Sequence, residues 1–153
     1  MTPRQRLVEI YQVEVERHGL MPFWFYEKQN QRHGFVFERP DFFVMGRPVI
    51  RTATEAQIVD NTYDFDWREC DCWYVDAIAG DMAKAFTVLP WPLPWFCFGR
   101  WARDNLGLRF FRAEDVKRLS LLLSAPENPH GQQAIASDQP TVGAYRSAGA
   151  SRH

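Results

Sequence analysis

Only three cysteines occur among the 153 residues, and long apolar runs are missing altogether. The cysteines are Cys70, Cys72 and Cys97, and an odd number with a C-x-C pair is poor material for a disulfide framework. Reduced thiols are typical of cytosolic proteins, so we expect a cytoplasmic location. No segment has the apolar length that a bilayer span or a signal peptide requires, so we expect no membrane partner.

Catalytic signatures are also missing from the sequence. The nucleophile elbow G-x-S-x-G, the P-loop and the dinucleotide glycine pattern do not occur, and the four histidines are scattered. Cys97 lies between Phe96 and Phe98, where a thiol in an apolar strand has a raised pKa and is inert. The sequence therefore predicts no catalytic residues, no cofactor and no complete set of metal ligands, which favours a protein that is not an enzyme.

Charge is present but unevenly distributed. The formal net charge is −1, yet residues 53–81 carry eight acidic residues against one basic residue, Arg68, while residues 82–123 carry seven basic against three acidic. Such asymmetry marks either an interaction face or two segments that neutralise each other. The sequence leaves both alternatives open.

The first element predicted is a helix over residues 3–18. Thr2 is a candidate N-cap, Pro3 occupies the first helical position and Gln5 completes a capping box. Gly19 is a typical helix stop, because glycine adopts the left-handed conformation without a steric penalty.

Aromatic and β-branched runs predict several strands. The run FWFYEKQ (23–29) followed by GFVFERP (34–40) is typical of a β-hairpin, and the run 41–52 predicts a third strand interrupted at Gly46 and Pro48 by a bulge or bend. The run 70–80 predicts a central strand, with Trp73, Val75 and Ala77 on one face and Cys72, Tyr74, Asp76 and Ile78 on the other. Residues 106–112 predict a further strand, and short helices are predicted near 52–60 and 80–86.

The run LPWPLPWFCFGRW (89–101) carries prolines at every second position. Pro90, Pro92 and Pro94 remove backbone donors along one side of an extended chain, which predicts a protected sheet edge. Trp91, Leu93 and Trp95 are then expected to share one face and to pack on the core.

These elements together predict a single α+β domain over residues 1–123. Its expected core is a twisted antiparallel sheet of about five or six strands, with N-terminal and C-terminal helices packed on one face. The C-terminal helix, 113–124, is expected to bury Val116, Leu119, Leu122 and Leu123. Residues 124–153 are rich in Ala, Ser, Gly, Pro and Gln, which predicts a disordered tail.

The acidic and aromatic segment 60–71 is the first candidate site. Because interfaces favour aromatic residues, the segment predicts a surface that binds a protein with a basic or nucleic-acid-binding face. Two carboxylates at i and i+2, Asp64 and Asp66, also suit a hard cation, so a metal-dependent enzyme is a further alternative. The candidate residues are Asp60, Asp64, Asp66, Trp67, Glu69 and Asp71.

A basic and aromatic segment, 100–118, is the second candidate site. Arginines contact phosphates and aromatic rings stack on bases, so this segment predicts nucleic-acid binding as an alternative. The octamer HGFVFERP partly resembles the aromatic motif of RNA-recognition sheets, but its departures favour Phe35 and Phe37 as core residues. The candidate nucleic-acid residues are Arg100, Trp101, Arg103, Arg109 and Arg112.

The function favoured by the sequence is therefore that of a small, non-enzymatic regulatory or inhibitory protein that binds another protein. A more specific hypothesis, by analogy of size and character, is an inhibitor from a mobile element that blocks a defence nuclease complex.

Overall fold

The computed structural model describes residues 1–19, 21–60, 63–100 and 107–123, and they form an α+β fold with a five-stranded sheet. The predicted tail, 124–153, lies outside the described residues. The elements in chain order are α1 (Pro3–His18), α2 (Phe23–His33), β1 (Phe35–Arg39), β2 (Phe42–Val49), α3 (Glu55–Val59), a 3-10 helix (Trp67–Glu69), β3 (Cys72–Gly80), α4 (Met82–Thr87), β4 (Trp95–Arg100), β5 (Gly107–Arg112) and α5 (Ala113–Leu123).

The sheet is mixed, so the prediction of a wholly antiparallel sheet is wrong at one junction. Its strand order is β1-β2-β3-β4-β5, and the sheet is twisted and open. Strands β3 and β4 run parallel, whereas the other neighbours are antiparallel. A parallel pair needs a crossover connection, and α4 with the proline-rich residues 88–94 provides it.

Helix α1 confirms the prediction from its caps. The Thr2 side chain accepts a hydrogen bond from the Gln5 backbone N–H at 3.1 Å, and the Gln5 side chain accepts one from the Thr2 N–H at 2.9 Å. Gly19 closes the helix in the left-handed conformation, with φ of 67°. Thr54 and Gln57 make the same reciprocal pair at the start of α3, so the predicted short helix is also confirmed.

The run 23–29 forms helix α2 and not a strand, so the predicted hairpin with 34–40 is wrong. Its aromatic residues favour strands intrinsically, but tertiary packing decides their conformation. Phe23, Tyr26 and Asn30 are buried along one helical stripe. The ring of Tyr11 in α1 contacts those of Phe23 and Tyr26 at centroid distances of 5.1 and 5.6 Å. The first hairpin is instead formed by β1 and β2.

Helices cover both faces of the sheet, which corrects the expectation of one covered face. Helices α1 and α2 pack on a cluster that includes Phe43, Met45 and Ala77, and α3 packs beside it on Tyr74. On the opposite face, α4 and the start of α5 pack on a cluster that includes Trp73. Phe35 is buried there and Phe37 packs against it, which confirms both as core residues.

A bulge in the β2–β3 pair changes which residues of β3 share a face. Met45 pairs with Ala77, but Gly46 pairs with Val75, so Asp76 is the extra residue. The predicted interruption at Gly46 is confirmed, whereas the strict alternation predicted for β3 is wrong beyond Val75. Ala77 consequently packs under α1 and α2, and Ile78 joins the cluster on the opposite face.

The prolines precede β4 and do not protect a sheet edge, so that prediction is wrong. Strand β4 begins at Trp95 and lies between β3 and β5. Trp91 and Leu93 pack on the core as expected, but Trp95 packs on the other face, with Tyr74 and Cys97.

Helix α5 packs on the core through Val116, as predicted, but not through Leu119. Ala113 and Val116 pack on the α4 side of the sheet and Ser120 is buried, whereas Leu119 is 57% exposed. The spacing of 113, 116 and 120 is itself helical, and the inward face includes Ala113 and Ser120 in place of Leu119. The side chains of Leu122 and Leu123 lie outside the described residues.

We predict that Gly46→Ala destabilises the fold far more than Gly19→Ala. A Cβ at position 46 would lie 2.0 Å from the Tyr74 carbonyl oxygen, so the β2–β3 pair must move apart. We expect a loss of about 3 kcal/mol or more in the free energy of unfolding. Urea denaturation provides the measurement.

Gly19→Ala is the matched control, because nothing lies within 4 Å of its added Cβ. Only the left-handed backbone is penalised there, at about 1 kcal/mol. Equal urea midpoints for the two variants would contradict the close approach at Gly46.

Candidate functional site

The strongest surface candidate is built around Trp67, which begins the 3-10 helix. Asp66 precedes this helix, and its carboxylate accepts a hydrogen bond from the Arg68 backbone N–H at 3.1 Å. This cap stabilises the short turn that carries the indole, because the Asp66 carboxylate gives the Arg68 N–H a hydrogen-bond acceptor that the 3-10 helix does not supply. Trp67 is 60% exposed, a large value for so apolar a side chain.

A column of aromatic rings connects Trp67 with the core. Its ring contacts Trp91 at a centroid distance of 5.7 Å, and Trp91 contacts the buried Trp73 at 5.1 Å. Trp73 also donates a hydrogen bond from its indole Nε1 to the Trp91 carbonyl at 3.2 Å, which fixes the proline-rich segment on the sheet. The column continues to Phe35 at 5.2 Å, so the exposed indole rests on a rigid base.

Three of the six residues predicted for this site already interact with neighbouring groups. The Asp66 carboxylate pairs with the Arg68 guanidinium at 3.1 Å, and that hydrogen bond lowers the pKa of Asp66. Asp71 accepts a hydrogen bond from the Arg51 backbone N–H at 2.7 Å. Asp60, at the end of α3, contributes to the electrostatic stabilisation of the buried Arg47.

The other three predicted residues, Asp64, Trp67 and Glu69, are exposed. They lie within a few residues of one another on the segment before β3, so two carboxylates flank the indole along the chain. Asp64 has no hydrogen bond or ion pair among the described residues. Neither does the Glu69 carboxylate. These two charges therefore remain available to a partner.

The basic segment lies next to the acidic one at the end of the sheet. The Trp95 backbone N–H donates to the Asp71 carbonyl at 3.2 Å, which brings the start of β4 against the acidic segment. The guanidinium groups of Arg51 and Arg112 lie 4.4 and 5.0 Å from the centroid of the Trp95 ring. The two segments therefore meet, and the arginines already cover an aromatic ring that would otherwise stack on a base.

The remaining predicted nucleic-acid residues are only partly described. Arg109 and Arg112 are exposed on β5. Arg100 ends β4, but its side chain lies outside the described residues, as do Trp101 and Arg103. The structure therefore describes the side chains of two of the five predicted residues, and these two lie on opposite faces of β5.

A buried polar cluster between the sheet and the helices was missed by sequence reasoning. Asp76, at the bulge, accepts a hydrogen bond from the Asn30 side chain of α2 at 2.6 Å. Arg47 of β2 is buried beside it and donates to the Ile58 carbonyl of α3. Burial lowers the pKa of Arg47 to about 10, and the charges of Asp76 and Asp60 oppose that shift. The signal was available as one aspartate within the apolar run 72–80.

This buried cluster holds elements together and does not present a reactive group. Asn30 also donates to the Tyr26 carbonyl at 2.9 Å, so its amide joins α2 to the bulge of β3. Arg47 joins β2 to α3. The side chains of Asn30, Arg47 and Asp76 are almost fully buried, so they stabilise the packing of these elements.

The three thiols are also buried and poorly suited to nucleophilic chemistry. Burial and the nearby carboxylates of Asp71 and Asp66 raise the pKa of Cys70 to about 12. Burial and contact with Cys72 raise the pKa of Cys97 strongly. A thiol that stays protonated is a weak nucleophile.

Among the described residues, no three His, Cys, Asp or Glu side chains converge as a metal site would require. None of the described helices has both the length and the hydrophobicity to cross a bilayer. Comparisons with models of protein families, with curated proteins and with solved structures found no match.

We predict that the native thiols react slowly with an aromatic disulfide reagent at pH 8. The raised pKa of Cys70 leaves little thiolate at that pH, and Cys72 and Cys97 are fully buried. In concentrated urea all three thiols should react at the rate of free cysteine. Absorbance of the released thiolate measures both rates, and a native thiol as fast as free cysteine would contradict the prediction.

We predict that Asp76→Ala costs about 3–5 kcal/mol in the free energy of unfolding, because it leaves the buried Arg47 charge without the carboxylate that contributes most to its electrostatic stabilisation. Asp64→Ala is the control, since Asp64 is exposed and makes no hydrogen bond or ion pair among the described residues, so the urea midpoint should be almost unchanged. Similar midpoints for the two variants would show that Asp76 does not stabilise the core.

Proposed function

We propose that this chain is a non-enzymatic protein that binds another protein through the surface around Trp67. The observation that carries this proposal is an indole that is 60% exposed and contacts the ring of Trp91. The proposed surface comprises Asp60, Asp64, Asp66, Trp67, Glu69 and Asp71, with Trp67 as the anchor.

A supported and exposed tryptophan suits protein recognition for a thermodynamic reason. Binding orders side chains, and each ordered rotamer costs about 0.5–1.5 kcal/mol. The indole of Trp67 already rests on Trp91, so less of that cost remains when a partner covers it. Tryptophan is also among the residues most enriched at the energetic centres of interfaces.

The charges around Trp67 indicate a basic partner. Asp64 and Glu69 are exposed and make no ion pair among the described residues. Charges at the rim of an interface steer association and exclude partners of the same sign. A basic surface that includes an apolar recess for the indole would therefore be complementary.

The alternatives receive less support from the same residues. Asp66 of the suggested metal pair is engaged by Arg68, which competes with a cation. For nucleic acid, the Trp95 ring is already covered by guanidinium groups. Inhibition of a nuclease complex remains one instance of the proposed function, because a nucleic-acid-binding surface is basic, and nothing further favours it.

We predict that Trp67→Ala abolishes capture of the physiological partner, whereas Trp24→Ala does not. The two indoles are exposed to 60% and 59%, but Trp24 lies on α2 and its one described ring contact is with its neighbour Phe25. The measurement is quantitative affinity capture from a lysate of the source cells, with the wild type and both variants compared.

Charge reversal at Asp64 and Glu69 provides a second arm that leaves the indole in place. The double change to lysine should weaken capture by at least about tenfold, because it places like charges against a basic partner. Equal capture by the wild type, Trp67→Ala and the charge-reversed variant would rule out this surface as the binding site.

A further inference from the structure

Strand β5 forms one open edge of the sheet. It is six residues long, pairs with β4 in a continuous register and has no neighbour on its other side among the described residues. An unpaired edge presents a row of backbone donors and acceptors that can accept another strand.

The hydrogen bonds of β4 identify which residues of β5 face outward. The Ala113 N–H donates to the Pro94 carbonyl at 2.8 Å, so position 113 points toward β4. The Trp95 N–H points the other way, to the Asp71 carbonyl before β3. Odd-numbered residues of β4 therefore face β3, and even-numbered residues of β4 face β5. Backbone groups alternate in direction along a strand, so residues 109 and 111 face β4.

The outward backbone groups therefore belong to Leu108, Phe110 and Arg112. No neighbouring strand occupies these groups within the described part of the chain, although the Arg112 carbonyl lies at the start of α5 and accepts the first hydrogen bond of that helix. Two devices that protect an edge are missing, because β5 contains neither proline nor a bulge, and its protection is limited to the charged side chains of Arg109 and Arg112. The N–H and C=O groups of Leu108 and Phe110 and the N–H of Arg112 are thus presented on this edge.

The side chains of β5 give this edge a positive charge on both faces. Arg112 reaches the Trp95 ring on the α3 side, whereas Arg109 lies in register with Phe98 on the opposite face. Both are exposed, and neither makes an ion pair among the described residues. A second copy of the chain would bring the same two cations, so an acidic partner strand is the complementary occupant.

The opposite edge of the sheet does not have this character. Strand β1 has five residues, carries one residue of each sign and is followed by Pro40. Its Glu38 lies 3.8 Å from the Arg4 guanidinium, so the charge there is already partly balanced.

We propose that β5 binds an extended acidic peptide segment as a sixth strand of the sheet. Backbone hydrogen bonds from Leu108, Phe110 and Arg112 would supply the register. Arg109 and Arg112 are three residues apart and lie on opposite faces, so they select acidic residues three apart in the ligand. This surface is separate from the proposed Trp67 surface and carries the opposite charge.

The direct test uses an eight-residue peptide of alternating Thr and Val with Glu at its third and sixth positions, blocked at both ends. A control peptide carries Lys at those two positions. Titration calorimetry with the full chain should show the Glu peptide binding at least about tenfold more tightly, which corresponds to about 1.4 kcal/mol. No binding of the Glu peptide, or equal binding of the two peptides, overturns the proposal.

A pair of variants at position 110 separates the backbone contribution from the side chain. Phe110→Pro and Phe110→Val both remove the ring, but only proline removes the outward N–H, and neither affects a hydrogen bond to β4. We expect Phe110→Val to retain binding and Phe110→Pro to lose at least about tenfold. Equal affinities for these variants overturn strand addition.

Charge reversal on β5 tests the preference for an acidic ligand with a variant that does not require the proline variant to fold. Arg109→Glu with Arg112→Glu changes exposed side chains and should reverse the preference, so that the Lys peptide binds more tightly. Two further results overturn the acidic peptide as the occupant. One is concentration-dependent dimerisation abolished by Phe110→Pro, which indicates a second copy, and the other is tighter binding of single-stranded oligonucleotide than of the Glu peptide.

Discussion

The fold depends on one buried carboxylate at a break in strand pairing. Asp76 is the extra residue of the β2–β3 bulge, and the Asn30 amide holds it at 2.6 Å. A carboxylate at this depth is tolerated only when hydrogen bonds and an opposite charge replace its water, which Asn30 and Arg47 provide. Arg47 in turn binds the end of α3 through the Ile58 carbonyl. The position of α2, the position of α3 and the change of face along β3 therefore follow from the same group.

The two ends of β3, on either side of the bulge, pack against different parts of the protein. Before it, Trp73 keeps strict alternation and directs its ring to the face where Trp91 packs. The proline-rich segment then has a defined role, because its prolines restrict the backbone while Trp91 fills the space between Trp73 and Trp67. A stiff connection loses little entropy when it is ordered, which lets a segment without regular structure support an exposed ring. After the bulge, the small side chains of Ala77 and Ala79 leave room for α1 and α2.

Local chemistry predicted those elements whose determinants lie close together in sequence. Helix α1 follows from Thr2 and Gln5, which cap the adjacent backbone, and Gly46 marks the position where the pairing of β2 with β3 shifts. The failures involve long-range packing. The residues of helix α2 have strand propensity, and the helix is stabilised by packing of Phe23 against Tyr11 of α1, which is distant in sequence. The parallel direction of β4 depends on the path of the crossover connection from β3. The candidate residues Asp64, Trp67 and Glu69 were within reach of sequence reasoning, whereas the exposure of Trp67 depends on how far Trp91 covers it.

The two proposed surfaces of opposite charge are linked through Trp95 of β4. The Trp95 N–H binds the Asp71 carbonyl, and Arg112 lies over the Trp95 ring, so β5 ends near the segment that carries Trp67. The Arg51 backbone N–H donates a hydrogen bond to the Asp71 carboxylate at this junction, and the Arg51 guanidinium lies over the Trp95 ring. A partner that presents an acidic strand beside a basic recess would contact both surfaces at once. The second contact would then form at a high effective concentration, so two individually weak surfaces suffice for selective binding.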